Sequence, residues 1–207
     1  MKRLDAIIVS VIVCNFVWFG WRAYNANHVP PKTIATVSSD EMIGNVRNLA
    51  GDSNSKYIIV EFGDYQCPPC ARMFGDIEEF MDQNRDKFRF QFRQFPLPNH
   101  SLSLPAALIA ERARKAGKFE SVHRALFALN ANLDEEKLIS IASQFGLRYA
   151  SADSLSKEDN AFVSIISNEK LSANKIPIVA TPSLFLCTPE RQVYQLSDIH
   201  QANEFLK

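Results

Sequence analysis

The chain has 207 residues, 46% hydrophobic and 22% charged, which is enough for one proper core and leaves little room for two. Its 23 basic and 23 acidic residues cancel, and beyond residue 32 there are 19 basic against 22 acidic groups, a balance that excludes a nucleic-acid binder built on a basic surface. Charge runs are short, and neither a fixed-period repeat nor a low-complexity segment divides the chain.

The N-terminus departs from this composition. Met1-Lys2-Arg3 precede an apolar stretch from Ala6 to Trp21, broken only by Ser10, Asn15 and Gly20. Residues 1–24 therefore read as a membrane anchor or signal segment. The small residues from Ala23 to Ala26 alternate with Tyr24 and Asn25 and make a poor processing site, which favours an uncleaved anchor over a cleaved signal peptide. Trp18, Trp21 and Tyr24 would form an interfacial belt, and Lys2 and Arg3 would hold the N-terminus in the cytoplasm. The rest of a single-pass inner-membrane protein then lies on the periplasmic, extracytoplasmic side; cleavage would instead release a soluble periplasmic protein.

Residues 25–55 are polar, stiffened by Pro30-Pro31 and closed by the turn cluster Gly51-Asp52-Ser53-Asn54-Ser55, and read as a linker in which Asp40 to Leu49 makes one short helix. The globular domain is expected over residues 56–207. Tyr57 to Phe62 is a continuous, β-branched run bounded by turn residues, the pattern of a buried strand. After it come Cys67-Pro68-Pro69-Cys70 and then a helix-like stretch to Asn84, with Met73, Phe74, Ile77, Phe80 and Met81 at helical spacing. Pro68 and Pro69 fall in the first turn of that helix, where a missing N–H costs little. Phe88, Phe90 and Phe92 alternate with Arg89, Gln91 and Arg93, a period-two strand with one aromatic face. Strand, turn, helix and strand in this order make a βαβ unit with parallel strands.

Pro96 and Pro98 end that strand. Helical patterns follow over Leu102 to Ala116, Phe119 to Leu129, Asp134 to Phe145 and Glu158 to Leu171, an insertion spanning about residues 100–172. Strand character returns at Ser183 to Cys187 and Gln192 to Leu196 around a Pro189-Glu190-Arg191 turn, and Ser197 or Asp198 caps a last helix. The order is β-α-β, helices, β-β-α.

Two thiols three positions apart on a strand-to-helix turn can close a small disulfide ring, and the helix N-terminus favours the thiolate of the first. Cys67 is thus the expected nucleophile and Cys70, one turn further in, the shielded resolving thiol, with Pro68 and Pro69 forming the loop between them. A static disulfide at this spacing closes almost no chain and would stabilise little. A zinc site needs a second ligand pair, and His28, His100, His123 and His200 stand singly, so no metal is expected and no cofactor beyond a Cys67–Cys70 disulfide. Of the other cysteines, Cys14 lies in the apolar segment and Cys187 reads as a small buried hydrophobe on or after a strand. His100 and His123 receive no chemical role, and Asp64 marks the turn into the cysteine loop. Glu61 is a carboxylate on a strand that should be buried, which raises its pKa unless the side chain reaches solvent at a sheet edge.

Three segments together resemble the DsbA-type thioredoxin-fold family of extracytoplasmic thiol–disulfide oxidoreductases: residues 60–70 (Val60 to Cys70), 117–127 (Gly117 to Phe127) and 180–186 (Ala180 to Leu186). The resemblance covers Tyr57 to the C-terminus. It implies an α/β thioredoxin core whose βαβ and ββα halves flank an inserted helical domain. It further implies that Glu61 accepts the proton of Cys70, that Pro182 is cis and faces the dithiol, and that Thr181 offers its backbone to an extended substrate. Partners would be exported proteins carrying thiols or disulfides and a membrane or extracytoplasmic redox protein. With only a short segment between the anchor and the core, a V-shaped dimer is disfavoured and a monomer expected. Strongly oxidising relatives often carry histidine between the cysteines; Pro68-Pro69 supplies no side-chain donor, so a less oxidising couple is expected. A reductase or isomerase, or a nonenzymatic peptide-binding or chaperone module on the same fold, are the alternatives.

Overall fold

The computed structural model describes residues 29–44, 48–173, 176 and 178–206. The expected anchor or signal segment at 1–24 lies outside them, and among the described residues no helix is long and apolar enough to cross a membrane.

Strand β3 (Tyr57–Gly63), helix α2 (Pro68–Asn84) and strand β4 (Phe88–Gln94) form the βαβ unit, with β3 and β4 parallel as expected. Helices α3 (Ser103–Lys115), α4 (Phe119–Ala128), α5 (Glu135–Gln144) and α6 (Lys157–Ala173) make the insertion. Strands β5 (Ser183–Cys187) and β6 (Val193–Leu196) then pair antiparallel, and Ile199–Phe205 closes the chain as a 3-10 helix, capped by the Asp198 side chain on the His200 N–H at 2.7 Å. The last element is the tighter helix type, a form common in short terminal pieces.

The compact unit begins at Lys32, not at residue 56. The segment read as a linker supplies β1 (Lys32–Thr33), α1 (Ser39–Ile43) and β2 (Asn48–Gly51), and the six strands run in the order β1-β6-β5-β3-β4-β2. The expected helix from Asp40 is only five residues long and starts at Ser39, because Ser38 and Glu41 close a capping box at one end and Gly44, at φ 57°, turns the chain out at the other. Ile34, Val37 and Met42, sparse in a polar sequence, are buried with Ile58, Val60, Phe62, Phe185, Cys187 and Val193 on one face of the sheet.

The opposite face carries Ile59, Phe88, Phe90 and Phe92, packed with Ile77, Phe80 and Met81 of α2 and with residues of α3 and α4. The aromatic face of β4 is therefore where the alternation puts it. Its polar face is buried too, because β4 lies between β3 and β2 and is covered: Gln91 and Arg93 are 1% and 3% exposed. The Gln91 amide donates to the Ile43 carbonyl at 2.7 Å, and the Arg93 guanidinium donates to the Glu41 and Met42 carbonyls at 3.2 and 2.9 Å, capping the C-terminal end of α1.

Candidate functional site: a dithiol at a helix N-terminus

The site begins with the position of β3, which pairs parallel with β4 and antiparallel with β5 in the middle of the sheet. Period two sends Ile58, Val60 and Phe62 to one face and Ile59 with Glu61 to the face covered by α2. At the strand's end Gly63 is required, since a Cβ there would lie 2.4 Å from the Phe92 ring. Asp64, Tyr65 and Gln66 turn the chain, and Cys67 caps α2 in an extended conformation at φ −84°, ψ 117°.

Cys67 and Cys70 are both free thiols, Cys67 ahead of the first helical turn and Cys70 fully enclosed within it. Cys67 is itself only 4% exposed, because the segment before β5 lies over it. The Cys67 thiol donates to the Thr181 carbonyl at 3.3 Å, and the Thr181–Pro182 peptide is cis. Thr181 and Pro182 are thereby brought to the dithiol from a point more than a hundred residues along the chain. The Cys67 N–H is taken by the Asp64 carbonyl at 3.1 Å, and Pro68 and Pro69, the first two helical residues, have no N–H to offer. Cys70 thus provides the first amide donor of the helix beyond Cys67.

Burial raises the pKa of the Cys70 thiol, and the negative charge of Glu61 raises it further. Glu61 itself is 1% exposed, so the edge position that would let its carboxylate reach solvent is not realised. Its Oε1 has no hydrogen-bond partner, and burial pushes the carboxyl pKa up to about 8. Cys187 sits on β5 in the opposite cluster, 1% exposed, its thiol pushed up to about 12 by burial. It belongs to the core and not to the dithiol. Among the described residues no group of three or more His, Cys, Asp or Glu side chains is placed to hold a metal ion.

Side chains given no chemical role by the sequence alone surround the turn before Cys67. The Tyr65 hydroxyl lies 2.9 Å from Nδ1 of His123, a histidine on α4 enclosed by the rings of Phe74, Phe92, Phe119 and Phe127. Burial, aided by the charge of Arg114, pushes that imidazole down to about 3, so it stays neutral. Asp64, whose side chain is fully enclosed, accepts from the Gln66 N–H at 2.8 Å, the Leu97 N–H at 2.9 Å, His100 Nδ1 at 2.7 Å and the Ser103 hydroxyl. The bond to Gln66 is an Asx turn, readable from an aspartate before a loop. The bonds to Leu97, His100 and Ser103 span 33 to 39 residues and leave no local signal.

A family model described as Thioredoxin matches residues 45–207. Among solved structures, the fold resembles the thiol–disulfide exchange protein alpha-DsbA2 from Wolbachia pipientis, with a TM-score of 0.62 at 20% identity over 80% of this chain and 88% of that one. A thioredoxin-like oxidoreductase from Silicibacter pomeroyi gives a TM-score of 0.61 at 25% identity, covering 80% of this chain and 93% of that one. Among curated proteins, a Na(+)/H(+) antiporter from Mycobacterium sp. is 30% identical over 146 residues, 70% of this chain, but the chain spans only 24% of the antiporter's length. A Rickettsia typhi protein named as a protein-disulfide oxidoreductase is 24% identical over 185 residues, covering 84% of this chain and 67% of its own length. The family match takes in the βαβ unit, the inserted helices and the closing strands, and the chain belongs to the thioredoxin family.

Proposed function

We propose that the chain exchanges electron pairs with exported proteins outside the cytoplasm, through Cys67 and Cys70. The observation that carries this reading is the seat of Cys67: a thiol at the N-terminus of α2, against the Thr181 carbonyl, with Cys70 enclosed one turn below. In the reducing direction the Cys67 thiolate attacks one sulfur of a substrate disulfide. A Cys67–substrate disulfide forms, the substrate S–S bond breaks, and the departing thiolate takes up a proton. Cys70 then loses its proton to the Glu61 carboxylate and attacks the Cys67 sulfur, releasing the second substrate thiolate and closing the Cys67–Cys70 disulfide. The substrate gains two electrons and the dithiol loses two; oxidation of a substrate runs the same steps backwards. A substrate segment lying extended beside Thr181 and Pro182 would be held by main-chain hydrogen bonds.

The first turn favours a couple less oxidising than a strong oxidase. With Pro68 and Pro69 lacking N–H groups and the Cys67 N–H occupied, few donors remain to stabilise the thiolate, and a poorly stabilised thiolate makes the disulfide harder to reduce. The N-terminal apolar segment supports attachment to the inner membrane with the dithiol on the periplasmic side, where a redox protein of the membrane or periplasm would regenerate it. The test combines a variant with an equilibrium. Cys67→Ser is expected to abolish insulin reduction and oxidative refolding of a disulfide protein alike; full activity in the variant would sink the proposal, and retained partner binding without any redox phenotype would favour a chaperone module. Equilibration of the wild-type pair against glutathione then sets the direction, a potential near about −270 mV marking a reductant and one near about −120 mV a strong oxidant.

A further inference from the structure

The turn that delivers Cys67 is not held by the thioredoxin core alone. Each of the three residues between Gly63 and Cys67 is tied to the inserted helices or to the connection that leads into them. The Asp64 carboxylate takes the Leu97 N–H, the His100 ring N–H and the Ser103 hydroxyl. Tyr65 meets His123 on α4, and the Gln66 side-chain carbonyl accepts the Leu102 N–H at 2.8 Å. Asp64 is the centre of this arrangement. Its four donors, with the Gln66 N–H as the fourth, fill the acceptor positions of a carboxylate, and its own backbone carbonyl takes the Cys67 N–H at 3.1 Å.

We propose that Asp64 is a positioning residue for the dithiol: its carboxylate clamps the Asp64–Gln66 turn to the Leu97–Ser103 segment and so fixes where Cys67 stands relative to Cys70 and Thr181. The inference rests on the dithiol reading above. It has a defined direction. A fixed turn holds the two sulfurs ready to bond and so favours the disulfide over the dithiol. Loss of the clamp therefore moves the equilibrium toward the dithiol.

The experiment measures the dithiol–disulfide equilibrium constant against glutathione in Asp64→Asn, which keeps the shape and removes the charge, and in Ser103→Ala, which removes one donor of the four. Tyr57→Phe serves as a control for general loosening, since it deletes a 2.9 Å hydrogen bond to the Phe205 carbonyl at the far end of β3. Shifts toward the dithiol of at least about tenfold in Asp64→Asn and at least about threefold in Ser103→Ala, with Tyr57→Phe within twofold of wild type, are the expected result. Should Asp64→Asn fail to fold, Ser103→Ala decides alone. Smaller shifts, shifts toward the disulfide, or an equal shift in Tyr57→Phe overturn the proposal. These outcomes leave the dithiol reading intact, because every variant keeps both cysteines and only Cys67→Ser removes turnover itself.

Discussion

Glu61 is a group whose charged form is costly to the fold. A carboxyl group beneath α2, 1% exposed and with Oε1 unpartnered, resists ionisation, and its pKa of about 8 against an ordinary 4.5 follows from burial. The folded state therefore holds a proton that the unfolded chain has already released between pH 4.5 and 8. Stability from this group is fully present below pH 4.5 and is lost as pH rises through 8, by up to about 5 kcal/mol on an order-of-magnitude conversion of the shift. Glu61→Gln, neutral at every pH, is expected to flatten that part of the stability profile measured by urea unfolding between pH 5 and 9. If Glu61 takes the proton from Cys70, resolution of a mixed disulfide on Cys67 accelerates with pH to a plateau above about 8. Glu61→Gln is expected to slow that step about a hundredfold at neutral pH and to remove the inflection, as read by rapid-quench alkylation of the mixed disulfide. An unchanged pH–rate profile would show that another group takes the proton.

At the scale of elements, the inserted helices are joined by a buried ion pair as well as by packing. Ala107 and Leu108 of α3 meet Phe162 and Ile166 of α6. Beside them Asp159, fully enclosed, pairs with Arg112 on α3 and with Arg148, and accepts the Ser156 N–H and hydroxyl at 2.8 Å each. Burial alone would raise its pKa, but the Ser156 hydrogen bonds and the two guanidinium groups outweigh burial and hold the carboxyl down to about 2. Asp159→Ala leaves Arg112 buried without its counter-charge and is expected to cost about 3–5 kcal/mol, seen as a lower urea midpoint. The Cys67–Cys70 equilibrium with glutathione should not move, because no contact of Asp159 reaches the turn before Cys67. A parallel shift in that equilibrium would mean that the whole insertion, and not the Leu97–Ser103 segment, sets the dithiol. These elements were legible because each follows a local rule: the alternating phenylalanines of β4, the prolines in the first turn of α2, and Asp198 as a cap. What closes the site was not. Asp64 finds its donors across 33 to 39 residues, and Arg93 and Gln91 look like an exposed strand face until α1 covers them. Such side chains are placed by tertiary partners that periodicity does not encode.

For the molecule as a whole, the least legible part is the segment from Lys32 to Ser55, whose polar composition suggested a linker. Its role follows from the sheet. Ile58, Val60 and Phe62 of β3, with Phe185 and Cys187 of β5 and Val193 of β6, make an apolar face on the side away from α2, and a sheet face of that kind must be covered. Ile34, Val37 and Met42 cover part of it, β1 pairs with β6, and β2 pairs with β4, so the same segment protects both edges of the sheet. Two truncations separate a cover from a linker. A chain starting at Lys32 retains every described strand and is expected to fold, to run as a monomer and to keep its equilibrium with glutathione. A chain starting at Lys56 loses β1, α1 and β2, uncovering the apolar face and leaving the Arg93 guanidinium without the Glu41 and Met42 carbonyls. It is expected to bind a hydrophobic dye, to self-associate through the bare edges of β4 and β6, and to melt well below the longer chain. Equal thermal midpoints and equal dye binding for the two chains would return residues 32–55 to the status of a tether. A difference between them makes the segment part of the domain that carries the dithiol, so that any attachment to a membrane must end before Lys32.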